Sequence, residues 1–180
     1  MKTDTKVQTI PVRSITFGAL TIALIVVFFS IFKGVTNILN AFFVPMILFS
    51  FLINRKAIEL VAVFAAAIAM CALFFNLQLV FIVFYCIIAL ILLILSRKNI
   101  NFVLSAAILS TGVTFFFWSA INLTDILFKT RMNEIMMKLM NGNWFRYMLL
   151  LTFEGTVVGV CQLFASRIVL KKLRASHLNC

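Results

Sequence analysis

Six apolar runs, cut apart by short polar breaks, leave few folds open to this chain. They cover approximately residues 14–32, 36–53, 57–75, 78–96, 102–126 and 147–170. Each is close to the roughly 20 residues that an α-helix needs to cross a hydrocarbon core, the second and third being on the short side. The runs are continuously apolar rather than alternating, which predicts helices and not the strands of a barrel. The expected fold is all-α: one membrane domain over residues 1–180, an integral bundle of six transmembrane helices. No span-sized repeat, low-complexity tract or second domain interrupts the pattern.

Composition agrees with that reading. Of the 180 residues, 64% are hydrophobic and 12% charged, and the mean hydropathy is +1.15. A soluble domain so composed would expose more apolar surface than stays dispersed, and a bilayer is the solvent that suits it. Lys2, Lys6 and Arg13 precede the first run as they would in a signal peptide. No A-x-A-like site follows, however, and the apolar stretch continues to Phe32, so a retained transmembrane helix is expected.

The formal charge of +11 is read through topology. With both termini on one side, that side holds Lys2, Lys6, Arg13, Arg55, Lys56, Arg97, Lys98, Arg167, Lys171, Lys172 and Arg174. The other side holds Lys33, Lys129, Arg131, Lys138 and Arg146. The positive-inside rule then puts both termini in the cytoplasm, with the basic edge against anionic lipid. Nucleic acid is not an expected partner, because the basic residues are scattered over short loops without a recognition motif. Cys71, Cys86 and Cys161 sit in apolar runs and Cys180 ends the chain, with no metal-ligand spacing among them. No metal or cofactor is expected. Enzyme chemistry finds no footing either: the sole histidine, His177, lies in the basic tail, and no nucleotide, hydrolase or metalloprotease motif occurs.

Polar side chains within the runs carry more information, since lipid offers them no partners. Thr111, Thr114, Trp118, Asn122 and Asp125 recur at steps of three and four, so they share one helix face. The stripe either ties helices together or lines a cavity. Asn37 and Asn40 open the outer end of span two, Asn76 and Gln78 form the outer turn between spans three and four, and Tyr85 lies two turns below Gln78. Glu154 enters span six from the same side. It is open to pairing with Arg146, to a hydrogen-bond network or to ligand contact. The inner half is nearly free of polar side chains apart from its basic edge, and that segregation points to an outer pocket. Asn76, Gln78, Tyr85, Trp118, Asn122, Asp125 and Glu154 are the candidate ligand-binding residues. Between spans five and six, the 128–146 segment has Ile135, Met136, Leu139 and Met140 at helical spacing before Asn141-Gly142-Asn143. That predicts an amphipathic helix on the outer surface, either an inert cover or a lid.

Two small-residue faces complete the pattern. Ala19 and Ala23, widened by Gly18, allow close approach of another helix in the inner half of span one, either within the bundle or from a partner. Gly155 and Gly159 offer a second such face in span six, suited to packing inside the bundle. The basic N-terminus, "RSITFGALTIAL" with its A-x-x-x-A, the six short spans and the basic end "SRIVLKKLR" together resemble the substrate-binding S components of energy-coupling factor (ECF) transporters. The resemblance covers length and topology, and only the first helix carries a motif. It implies a subunit in the membrane of a bacterial cell that captures a vitamin or related micronutrient outside. It further implies docking through Gly18, Ala19 and Ala23 on a membrane coupling subunit that carries two cytoplasmic ATPases. No residue signature assigns riboflavin, thiamine, biotin or folate, and two tryptophans are few for the Trp-rich members. Multi-span scaffolds such as the rod-shape factor MreD are similar in overall plan. They would use the same residues for protein contacts alone.

Overall fold

A computed structural model describes residues 12–32, 37–53, 55–98 and 100–178. Lys2, Lys6, Lys33 and Cys180, and the side chains of Arg13, Asn37, Arg174 and His177, lie outside what it describes. The described residues form helices α1 (Val12–Ile31), α2 (Asn37–Leu52), α3 (Ala57–Phe74), α4 (Leu79–Arg97), α5 (Phe102–Phe128), α6 (Met132–Leu139) and α7 (Trp144–Leu178). A 3-10 turn at Asn76–Gln78 joins α3 to α4. Among the described residues there is no strand.

Each apolar run became a helix, though not every helix has the length of a full span. Helices α1, α3, α4, α5 and α7 are long and apolar enough to cross a membrane, while α2 is shorter at 16 residues. At 1.5 Å per residue it covers about 24 Å, less than a hydrocarbon core of about 30 Å. Its position accommodates this: Ala41, Val44, Leu48, Phe49 and Leu52 are buried, and α2 packs against α1, α4 and α7. Protein, rather than lipid, forms most of its surroundings. The five long apolar helices are those of a multi-pass membrane protein.

Helix α4 is the other central element, with Phe81, Ile82, Tyr85, Ile88, Ala89 and Leu92 buried. Helices α1, α3, α5 and α7 lie outside, and large apolar side chains such as Val61, Ile126 and Phe153 remain uncovered. In water such a surface would aggregate; in a bilayer it is the lipid-facing side.

The most extensive helix pair is α5 with α7, and glycine sets its spacing. A Cβ on Gly155 would lie 2.8 Å from the backbone nitrogen of Thr114, and one on Gly159 would lie 2.9 Å from that of Ser110. Only glycine permits this backbone approach, as the small-residue spacing of span six predicts.

Candidate functional site

The end of the bundle where α5 finishes and α6 begins is organised around Asp125, at the last turn of α5. Its Oδ1 accepts from Thr130 Oγ1 at 2.5 Å and from the Met132 amide at 2.8 Å, and its Oδ2 accepts from the Asn133 amide at 2.9 Å. The first amides of α6 have no helical acceptor, and Arg131 at the N-cap provides none from its side chain. Asp125 therefore caps α6 from the neighbouring helix, its negative charge placed at the positive end of the α6 dipole.

The network continues inward. Asn133 Nδ2 donates to Asn122 Oδ1 at 3.0 Å, and Asn122 Nδ2 donates to the Trp118 carbonyl at 2.7 Å. The buried Tyr147 donates its hydroxyl to Asn133 Oδ1 at 3.0 Å. Asn133 thus links α5, α6 and α7. Helix α6 ends with Asn141 and Gly142 at φ of 54° and 72°, and the Gly142 amide returns to the Met137 carbonyl at 2.8 Å. This left-handed close is the geometry in which glycine is favoured. Met136, Met137 and Met140 pack on the core, whereas Ile135 and Leu139 point away from it. The packed face is therefore turned by about one residue from the one the sequence suggests. On the open face of α6, Lys138 hydrogen-bonds Glu134 at 2.7 Å. That bond, then the charges of Lys138 and Arg131, hold the Glu134 carboxyl below its ordinary 4.5.

The other candidate ligand residues are dispersed. Asn76 is exposed and Gln78 half-buried at the α3–α4 turn, while Tyr85 is buried in the core beside the rings of Phe29 and Phe81. Trp118 is half-buried, with its ring 6.3 Å from that of Phe115. Glu154 is half-buried and, among the described residues, has no hydrogen bond or ion pair, so Arg146 does not hold it. Thr114 donates to the carbonyl of Ser110 on its own helix. The structure thus joins Asn122 to Asp125 through Asn133, and neither Asn76 nor Glu154 adds a hydrogen bond to that network.

The end of the bundle where α1 and α3 begin has polar chemistry outside the residues singled out from the sequence. Glu59, in the first turn of α3, is buried and accepts the hydroxyl proton of Ser14 on α1. Arg55 approaches the same carboxylate at 3.7 Å, its guanidinium 5.4 Å from the rings of both Phe17 and Phe51. The i,i+4 spacing of Arg55 and Glu59 was the available signal. Beside this cluster a groove of about 240 Å³ runs between α1 and α3, lined by Gly18, Ala19, Ile22, Glu59 and Val63 among others. Gly18 is turned into the bundle, where a Cβ would lie 3.1 Å from Val63 Cγ2, while Ala19 and Ala23 are exposed.

No family model, curated protein or solved structure matches the chain. Its function has to be argued from these two ends of the bundle.

Proposed function

We propose that this chain is the membrane-embedded substrate-binding subunit of an ECF-type importer, capturing a vitamin or related micronutrient at its outer face. It then docks on a coupling subunit that carries two cytoplasmic ATPases. The observation that carries this reading is the division of the small-residue face of α1. Gly18 is consumed by packing against Val63, whereas Ala19 and Ala23 stand uncovered beside a groove. Small side chains on an uncovered membrane face let a partner helix come close, gaining packing that Leu or Phe would block. The excess of basic residues at the end bearing the termini supports a cytoplasmic orientation in a bacterial cell membrane. In this reading the side chains of Trp118 and Glu154, which are half-buried and make no hydrogen bond within the Asp125 network, are the ligand-side groups to examine first.

One observation favours a second reading. Asn122 and Asp125 spend their hydrogen bonds on Thr130, Asn133 and the α6 backbone rather than on a pocket. A multi-span scaffold of the MreD type, working through protein contacts alone, needs no outer pocket.

Both readings meet one experiment: purification in mild detergent, with mass spectrometry of the proteins that accompany wild type and Ala19→Leu/Ala23→Leu. Importer function requires an ATPase-bearing complex that the double variant loses while its own melting temperature is kept, since both positions are exposed. Cell-wall or division proteins in its place favour the scaffold. Partners indifferent to both alanines sink the docking argument.

A further inference from the structure

A cleft of about 450 Å³ opens at the end of the bundle where α4 finishes, α5 begins and α7 passes both. Its polar lining is Ser96, Asn101, Arg167 and Lys171, and its apolar lining is Leu95, Ile100, Phe102, Leu163 and Leu170. Arg167 is held in place: Nη2 donates to the Ile100 carbonyl at 3.2 Å, and the guanidinium lies 4.9 Å from the centre of the Phe102 ring. One hydrogen bond leaves most of its five N–H donors unspent.

Among the described residues nothing neutralises this charge. Among the described residues the carboxylates are Glu59, which faces Ser14 and Arg55; Asp125 and Glu134, at the opposite end of α5; and Glu154. None of them pairs with Arg167 or Lys171. The Ser96 hydroxyl adds an independent sign, being buried in the cleft wall without a hydrogen-bond partner. A buried hydroxyl left unpaired is costly and is ordinarily satisfied by something bound. Asn101 caps α5 through the Val103 amide at 3.3 Å, so the positive end of the α5 dipole also faces this region.

The cleft therefore offers two positive charges, that of Arg167 held in place, a buried hydroxyl and a helix N-terminus above a wall of five apolar side chains. An anion satisfies the first three features, and a free anion would leave the wall uncovered. We propose that the cleft is a binding site for the phosphate headgroup of an acidic glycerophospholipid, with acyl chain laid against Phe102, Leu163 and Leu170. Basic pockets between transmembrane helices suit such headgroups, since the phosphate meets its counter-charge while the tail stays in hydrocarbon. The site is separate from the α1 face and from the outer network, so it stands whichever reading of function holds.

The test uses the full chain in mild detergent, with retained lipid counted by native mass spectrometry. Dioleoyl phosphatidylglycerol, dioleoyl phosphatidylcholine and inorganic phosphate are the probes. Wild type retains phosphatidylglycerol at least fivefold over phosphatidylcholine, and millimolar inorganic phosphate does not displace it. Arg167→Gln/Lys171→Gln abolishes the preference, whereas Lys129→Gln/Arg131→Gln, at the other end, leaves it intact. Ser96→Leu fills the cleft without altering charge and also abolishes it, which separates a built site from general attraction. Lys171→Gln alone, at an exposed side chain, weakens retention even if the double variant fails to fold. Displacement by inorganic phosphate would reassign the site to a free anion. Equal losses from both charge pairs, or undiminished retention in Ser96→Leu, would overturn the site altogether.

Discussion

Gln162 on α7 donates its side-chain amide to the carbonyl of Ala41 on α2 at 2.6 Å. Ala41 is the residue four before Pro45, whose ring nitrogen has no hydrogen to give, so this carbonyl loses its helical partner. In a membrane interior that loss has to be made good by a neighbour. Replacing Gln162 by Leu should cost about 1–3 kcal/mol by leaving a buried carbonyl unpaired. Pro45→Ala restores a backbone donor at the same place, so the cost of Gln162→Leu should shrink in that background. Thermal unfolding of the four proteins in detergent measures the coupling. Additive losses would show that the two residues act independently.

Asp125 is the cap that keeps α6 formed, which predicts a local effect rather than a global one. Asp125→Ala removes the acceptor of the Met132 and Asn133 amides. Their hydrogen exchange should accelerate at least tenfold, with the rest of the 128–143 stretch following. Exchange in the centre of α4 should stay as in wild type. Unchanged protection at Met132 would mean that α6 is held from elsewhere.

The glycines of α5 and α7 give a paired prediction. Gly155→Ala forces α5 and α7 apart, because the new methyl meets the Thr114 backbone. A cost of about 1–3 kcal/mol is expected, as for other overpacked sites. Thr114→Ala should not rescue it, since the obstructing atoms include backbone. Gly112, by contrast, has nothing within 4 Å of the position a Cβ would take. Gly112→Ala should therefore stabilise the helix by about 0.5–1 kcal/mol through backbone entropy. Melting temperatures that move in the same direction for the two variants would refute the packing argument.

The pH response of α6 follows from Glu134. Its folded carboxyl titrates below 4.5, so its stabilising effect is complete above that value and is lost as pH falls through the lowered pKa. Exchange protection in α6 should be flat from pH 8 to 5 and decline below it. Lys138→Ala removes the first cause and should bring the Glu134 titration, followed by NMR, back up toward 4.5. A titration unaffected by Lys138→Ala would assign the shift elsewhere.

Much of the helix layout was legible because span-length hydropathy and short polar breaks are local properties. The run at 102–126 became α5, Phe102–Phe128, and the run at 57–75 became α3, Ala57–Phe74. Helix α7 exceeds its apolar run of 147–170 at both ends, starting at Trp144 and continuing through Lys171 and Lys172. A helix outside lipid can continue on polar residues that hydropathy does not count. The pairings were not legible. Gln162 and Ala41 are 121 residues apart, and Ser14 and Glu59 are 45 apart, with no periodicity to connect them. Asp125 had a readable depth and face, but its partners depended on how α6 folds back. For the Gln162–Ala41 pair the hint was Pro45, since a proline inside an apolar helix leaves a carbonyl without its helical donor.

The burial of α4 has a consequence for biogenesis. Its segment is both the most hydropathic of the described spans and the one most enclosed by protein. Once assembled, it has the least need of apolar side chains to satisfy lipid. The requirement belongs to an earlier stage, when each helix partitions from the translocon into the bilayer before its neighbours surround it. The less hydropathic α5, with Thr114, Asn122 and Asp125 along its length, inserts with less driving force of its own. The hydropathy of α4 therefore records how the chain enters the membrane rather than where the helix finally rests.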